Sequence, residues 1–158
     1  MKKLYLTTVV ILLSLMGFTQ EQKEPTKVNS KHAVGVAAGL TIGCGLAYQY
    51  TYSKFSVQGT FLPYIDDEEM YCIGLSFYYT LNQGKQTSLF LYQGNHYYYS
   101  QYYVYNEAYF NNGLGIGLEF TILDNVSLNL MAGYAFYNNF TSLNLTGEIS
   151  LFYNIPSK

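Results

Sequence analysis

The most regular pattern in the chain is an alternation with a period of two. Between residues 113 and 122, Leu114, Ile116, Leu118, Phe120 and Ile122 share one face, and Gly115, Gly117, Glu119 and Thr121 share the other. Residues 126–137 and 143–153 repeat it. A strand sends successive side chains to opposite faces, so this period predicts strands. One face of each is wholly apolar or aromatic; the other is small and polar and carries the charges. A barrel in water keeps its charges outside. Here the apolar face has no charge, so lipid is the solvent it suits.

The same reading extends back along the chain. It predicts strands over 32–41, with Ala33, Gly35, Ala37 and Gly39 inward, and over 45–52, with Leu46, Tyr48, Tyr50 and Tyr52 outward. A third covers 55–65, with Ser56, Gln58 and Thr60 inward, and a fourth covers 70–81. The fifth begins at Thr87 and ends near Tyr99. There Leu89 and Leu91 compete with Phe90 and Tyr92 for the apolar face, so its facing stays open. A long Tyr-rich connection is expected to run on to Asn112. About eight strands of about ten residues suit tilted crossings of a bilayer, and the predicted fold is all-β: a closed, antiparallel, up-and-down eight-stranded transmembrane β-barrel. Turns after the second, fourth and sixth strands are short, and those after the third and fifth are expected to be longer. Short turns face the periplasm in such barrels, and an even strand count puts both chain ends there.

Composition adds a location. Lys2 and Lys3, an apolar run from Leu4 to Met16, and small Gly17 and Thr19 read as a secretory signal over 1–19. Residues 20–31 are polar, contain Pro25 and lack a period, as a flexible periplasmic linker does. The barrel is then expected over 32–155. Beyond the signal no run of eighteen apolar residues is present, so a membrane crossing must use strands. Charged residues make up 11%, against about 25% in an ordinary soluble chain. A net charge of −2 gives no support for nucleic-acid binding.

With this pattern, Phe-Leu-Tyr-Gln-Gly-Asn-His at 90–96 and Phe-Asn-Asn-Gly-Leu-Gly-Ile-Gly at 110–117 resemble the small eight-stranded outer-membrane β-barrels, the class of the OmpA membrane domain and OmpX, in a Bacteroidetes-type form. The resemblance covers about 32–155 and rests on pattern. It implies an outer-membrane location, with membrane lipids and lipopolysaccharide as surroundings. Ile149, Leu151 and Tyr153 look like the alternating C-terminal signal read by the barrel-assembly machinery, although Asn154 to Lys158 follow where the family usually ends on an aromatic residue.

Candidate chemistry is sparse. Glu119 and Glu148 are expected in the lumen, without a neighbouring cation and with Asn129, Asn144 and Thr146 as donors. A hydrogen-bonded plug is favoured over an ion path. Tyr98, Tyr99, Tyr102, Tyr103, Tyr105 and Tyr109 are candidates for surface contact with a saccharide or protein, or for an interfacial aromatic belt, which is favoured. Asp66 to Glu69 and Glu107 fall on the outer side, and a solvated loop is favoured over a cation site. His96, Ser100 and Asp66 would meet at the rim, where lipid A palmitoyltransferase barrels carry a His/Asp/Ser set, but no spacing motif supports an enzyme. Cys44 and Cys72 are expected as free thiols because strand three would hold them too far apart. No catalytic residue, metal or cofactor is expected. The functional expectation is a non-catalytic outer-membrane barrel serving envelope structure or surface contact, its extracellular ligand undefined. The rivals are a soluble lipocalin-like carrier and an envelope-lipid enzyme.

Overall fold

A computed structural model describes residues 30–65, 69–102 and 105–156. The expected signal at 1–19, nearly all of the 20–31 linker, the acidic residues 66–68 and Tyr103 lie outside the described residues. The strands are β1 (Ser30–Ala38), β2 (Gly45–Tyr52), β3 (Phe55–Ile65), β4 (Glu69–Gln83), β5 (Thr87–Tyr102), β6 (Tyr105–Leu123), β7 (Val126–Tyr137) and β8 (Ser142–Ile155). Each pairs antiparallel with its neighbour in sequence, and β1 closes on β8. The expected eight-stranded closed barrel is therefore present.

Period two sorts the side chains as read from the sequence. Val34, Leu46, Phe61, Ile73, Leu75, Leu114, Ile116, Leu130, Ile149 and Leu151 are exposed on the outer wall, and no described charged side chain joins them there. Gln58, Ser76, Asn129, Thr146, Glu148 and Ser150 are buried in the lumen with Tyr78, Met131 and Phe152. This arrangement, apolar outside and polar within, is that of a barrel in lipid and the reverse of a soluble carrier.

Strand five resolves through volume. Phe90 and Tyr92 point inward, and Leu91 and Tyr97 outward. Phe90 lies opposite Gly117 in register and Tyr92 opposite Gly115. An eight-stranded lumen is just wide enough for side chains to fill. Two aromatic rings fit because the next strand supplies glycines: a Cβ on Gly115 would lie 2.7 Å from Tyr92 Cε1.

Three expectations about the connections change. β3 runs to Ile65 before β4 begins at Glu69, and β5 runs to Tyr102 before β6 begins at Tyr105, so the strands extend into the stretches expected as the longer connections. The Tyr-rich segment is a hairpin, with β5 and β6 paired as far as Tyr102 and Tyr105. Tyr has high strand propensity, and pairs such as Tyr98 on Tyr109, with centroids 5.8 Å apart and planes at 9°, continue the ladder beyond the wall. β1 starts two residues early, at Ser30, and ends at Ala38 instead of Thr41. Residues 39–44 leave the wall there, helped by the left-handed φ of 81° at Gly43.

The outer wall predicts membrane extraction behaviour. Membranes carrying the protein should retain it through a carbonate wash, and the unboiled sample in mild detergent should migrate differently from the boiled one. Release by carbonate into the soluble fraction would contradict a lipid-facing wall.

Candidate functional site

The chemistry of the barrel is concentrated where residues 39–44 fold back into its mouth. Thr41 and Ile42 are fully buried. Their receptor is Glu148, on the lumen side of β8. The Ile42 N–H donates to Glu148 Oε2 at 3.0 Å, and the Thr41 hydroxyl donates to Oε1. The Thr146 hydroxyl donates to the same Oε1 at 2.9 Å. Among the expected donors Thr146 is right, whereas Asn144 is exposed and makes no such bond. The two decisive donors come from a segment that reads in sequence as the end of a strand and a turn.

The carbonyl side of the segment is also held. His96 Nδ1–H donates to the Leu40 carbonyl at 3.0 Å, and Asn111 Nδ2 donates to the same oxygen at 3.0 Å. Asn111 Oδ1 accepts the Asn138 N–H at 3.0 Å, which ties the β7–β8 turn to the same centre. A carbonyl only accepts, so in a neutral ring Nδ1 carries the proton and Nε2 accepts. The Cys72 thiol then donates to His96 Nε2 across 3.0 Å.

Cys44 and Cys72 are both free thiols, as expected, but the reason differs. The inward fold of the segment brings the Cys44 N–H within 3.0 Å of Cys72 Sγ, so strand three does not keep the two residues apart.

Glycines make the seat. Gly74, Gly94 and Gly113 face the segment from β4, β5 and β6. A Cβ on Gly94 would sit 2.6 Å from the Thr41 carbonyl oxygen, and one on Gly113 would sit 2.7 Å from Thr41 Oγ1. A Cβ on Gly74 would collide with the Ile42 carbonyl. Below the seat, the Tyr78 hydroxyl donates to Gln58 Oε1 at 2.7 Å, and Gln58 Nε2 donates to Thr60 Oγ1 at 3.0 Å. Tyr78 and Phe90 meet edge to face, their centroids 5.4 Å apart.

Glu119 is separate from this centre. It points into the lumen on β6, is partly exposed, and lies opposite Asn129 in register. Lys31, inward on β1, acts on it electrostatically, which corrects the expectation of a carboxylate with no cation nearby. Asn129 is not its donor among the described contacts, and Asn129 Oδ1 is itself unpartnered. The sequence reading missed Lys31 because it assigned that residue to the linker.

The tyrosine candidates form a rim on the β5–β6 hairpin. Tyr71 stacks on Tyr99 at 6.1 Å, and the Tyr99 hydroxyl donates to Gln101 Oε1 at 3.1 Å. The Tyr109 hydroxyl donates to Glu107 Oε2, a bond that holds the Tyr109 phenol above its ordinary pKa. The side chains of Tyr102 and Tyr105 lie outside the described residues, as does Tyr103.

His96 has both ring nitrogens engaged, Asp66 lies outside the described residues, and Ser100 is on the strand beyond His96. No cluster of three or more His, Cys, Asp or Glu suited to a metal occurs among the described residues.

No family model matches the sequence, and no curated protein matches it. Solved structures do resemble the fold. The N-terminal β-barrel domain of OprF from Pseudomonas aeruginosa superposes with a TM-score of 0.57 at 10% identity, over 80% of this chain and 96% of that one. Ail, the attachment invasion locus protein of Yersinia pestis, superposes with a TM-score of 0.50 at 14% identity, over 82% of this chain and all of the other. At such identities the likeness is one of fold: this chain adopts the eight-stranded barrel architecture of outer-membrane proteins.

Proposed function

We propose that the protein is an integral outer-membrane barrel with a closed lumen, serving envelope structure and surface contact instead of transport or catalysis. The observation that carries this reading is the insertion of residues 39–44 into the lumen, where Glu148 satisfies their donors. The aromatic rim on β5 and β6 is the proposed contact surface, where rigid Tyr side chains give broad contact area at low entropic cost. The surrounding partners are outer-membrane lipids and lipopolysaccharide, with assembly by the barrel-assembly machinery. The test is planar-bilayer recording of the purified protein, which should show no large, stable conductance. A steady, Glu148-dependent cation current would overturn the reading.

Glu148 and its seat predict distinct stability changes. Glu148→Ala leaves the Thr41, Ile42 and Thr146 donors without their acceptor, and should cost about 2–4 kcal/mol. Glu148→Gln retains an acceptor and the side-chain volume, and should stay within about 1 kcal/mol of the parent. Denaturant unfolding in lipid vesicles measures both.

Gly94→Val places methyl groups where the Thr41 carbonyl lies. Overpacking of this kind should cost about 1–3 kcal/mol and displace the segment from its seat. Cys72 is buried at the foot of that segment, and local opening should make it alkylate at least about tenfold faster. Maleimide labelling of the folded barrel reads this directly.

A further inference from the structure

Where residues 39–44 meet β4 and β5, two thiols and an imidazole come into contact. Cys72 lies on β4 and is 3% exposed. The Cys44 N–H donates to Cys72 Sγ at 3.0 Å, and the Cys72 thiol donates to His96 Nε2 across 3.0 Å. Cys44 is half-buried, so solvent reaches it. Its own thiol leans on the Gly39 carbonyl at 3.9 Å and also reaches Cys72.

The backbone holds this contact in place. Gly43, with its φ of 81°, packs against β4 and His96: a Cβ there would lie 3.1 Å from Gly74 Cα and 3.5 Å from His96 Cδ2. That close approach sets the next residue, Cys44, on Cys72. An N–Cα bond is about 1.46 Å, so Cys44 Cα lies within about 4.5 Å of Cys72 Sγ. A disulfide joins Cα atoms about 4.4–6.8 Å apart, a span in keeping with that reach. The imidazole is oriented as well. Its Nδ1–H is engaged by the Leu40 carbonyl, so Nε2 is the proton acceptor, and it faces the Cys72 sulfur. A thiol becomes a nucleophile when it loses its proton. His96 can take that proton, and the Cys44 N–H already points at the sulfur that would carry the charge.

We propose that Cys44 and Cys72 are a redox modification site, at which a disulfide locks residues 39–44 into the lumen. The oxidant is a small-molecule disulfide, acting outside the cytosol, where the product persists. Cys44, the reachable thiol, gives its proton to solvent and attacks one sulfur of the oxidant. A bond forms from Cys44 Sγ to that sulfur, and the other half leaves as a thiolate. Cys72 then attacks Cys44 Sγ while its proton passes to His96 Nε2. The second half leaves as a thiolate and takes the proton from His96. In all, two protein thiols lose two electrons, and one small disulfide becomes two thiols. The product ties the inward segment covalently to β4 and keeps its donors on Glu148. Only that consequence rests on the closed-lumen reading.

The test treats the folded barrel, in phospholipid vesicles, with oxidised glutathione and follows intact mass after quenching. The expected product is a monomer lighter by two hydrogens, with no glutathione attached. Cys72→Ser should stop at a single glutathione adduct on Cys44. Cys44→Ser should resist oxidation, because Cys72 is buried. His96→Gln should form the Cys44 adduct at the parental rate and convert it to the disulfide at least about tenfold more slowly. In the oxidised barrel the Ile42 amide, which donates to Glu148, should exchange its hydrogen at least about tenfold more slowly than in the reduced one, and a reductant should reverse this. A barrel carrying two glutathiones, copy-to-copy dimers as the main product, unchanged conversion in His96→Gln, or an Ile42 amide no slower after oxidation would overturn the proposal. None of these readouts involves conductance, so an open pore and a missing lock are separate failures.

Discussion

A carboxylate enclosed in a narrow barrel has to be met by donors from the protein, since neither bulk water nor lipid reaches it and an unpaired buried charge is very costly. Glu148 is 5% exposed, and the wall beside it contributes the Thr146 hydroxyl. The remaining donors must come from chain that leaves the wall. Residues 39–44 therefore fold inward, and much of the upper lumen is arranged to receive them: glycines on β4, β5 and β6 make room, and His96 and Asn111 take the Leu40 carbonyl. The carboxylate and the segment depend on each other. Without the segment Glu148 is an unsatisfied acid, and without Glu148 the Ile42 N–H and the Thr41 hydroxyl are buried donors with no acceptor.

The outer wall obeys a simpler rule. A closed ladder satisfies every backbone group across the membrane, so the side chains facing lipid are free to be apolar. Aromatic residues gather near the end of the barrel where Ser53–Lys54 and residues 84–86 turn: Tyr50, Tyr52, Phe55, Tyr79 and Tyr153 are all exposed there. His32 joins them, its Nδ1 2.6 Å from the Tyr48 hydroxyl. Phe55 and Tyr79 pack at 4.9 Å. Such residues suit an interface between lipid and water.

The alternation in β2, β3, β6, β7 and β8 was legible in the chain, because each of these strands keeps one apolar and one small polar face over several residues. Closure followed from their number and length, about eight strands of about ten residues. The site was only half legible. Parity places Glu148 in the lumen and nominates Thr146, two residues away on the same face. It says nothing about a connection that folds inward, because period two describes side chains on the wall and not chain that leaves it. The available signal was glycine. Gly39 and Gly43 lie in the segment, and Gly74, Gly94 and Gly113 lie on lumen faces across from it; close backbone approach is what such positions permit.

Strand five shows how two requirements compete when one register must serve both faces. A shift by one residue exchanges every side chain between lumen and lipid. With Leu89, Leu91, Gln93 and Asn95 inward, the amides would escape lipid, but Phe90 and Tyr92 would leave the lumen. The glycines opposite them, Gly115 and Gly117, would then face empty space. His96 would also turn outward and leave the Leu40 carbonyl. The observed facing fills the lumen and keeps the inward segment bonded, and its cost is two amides, Gln93 and Asn95, on the lipid wall beside the outward Asn112 of β6. That cost is reduced because the amides fall on adjacent strands at neighbouring depths, so they satisfy one another in part. Hydrophobicity along β5 is evenly balanced and cannot choose between the facings. The choice is made by the volumes and bonds of β6 and of residues 39–44, which is why it is visible only when the strands are assembled.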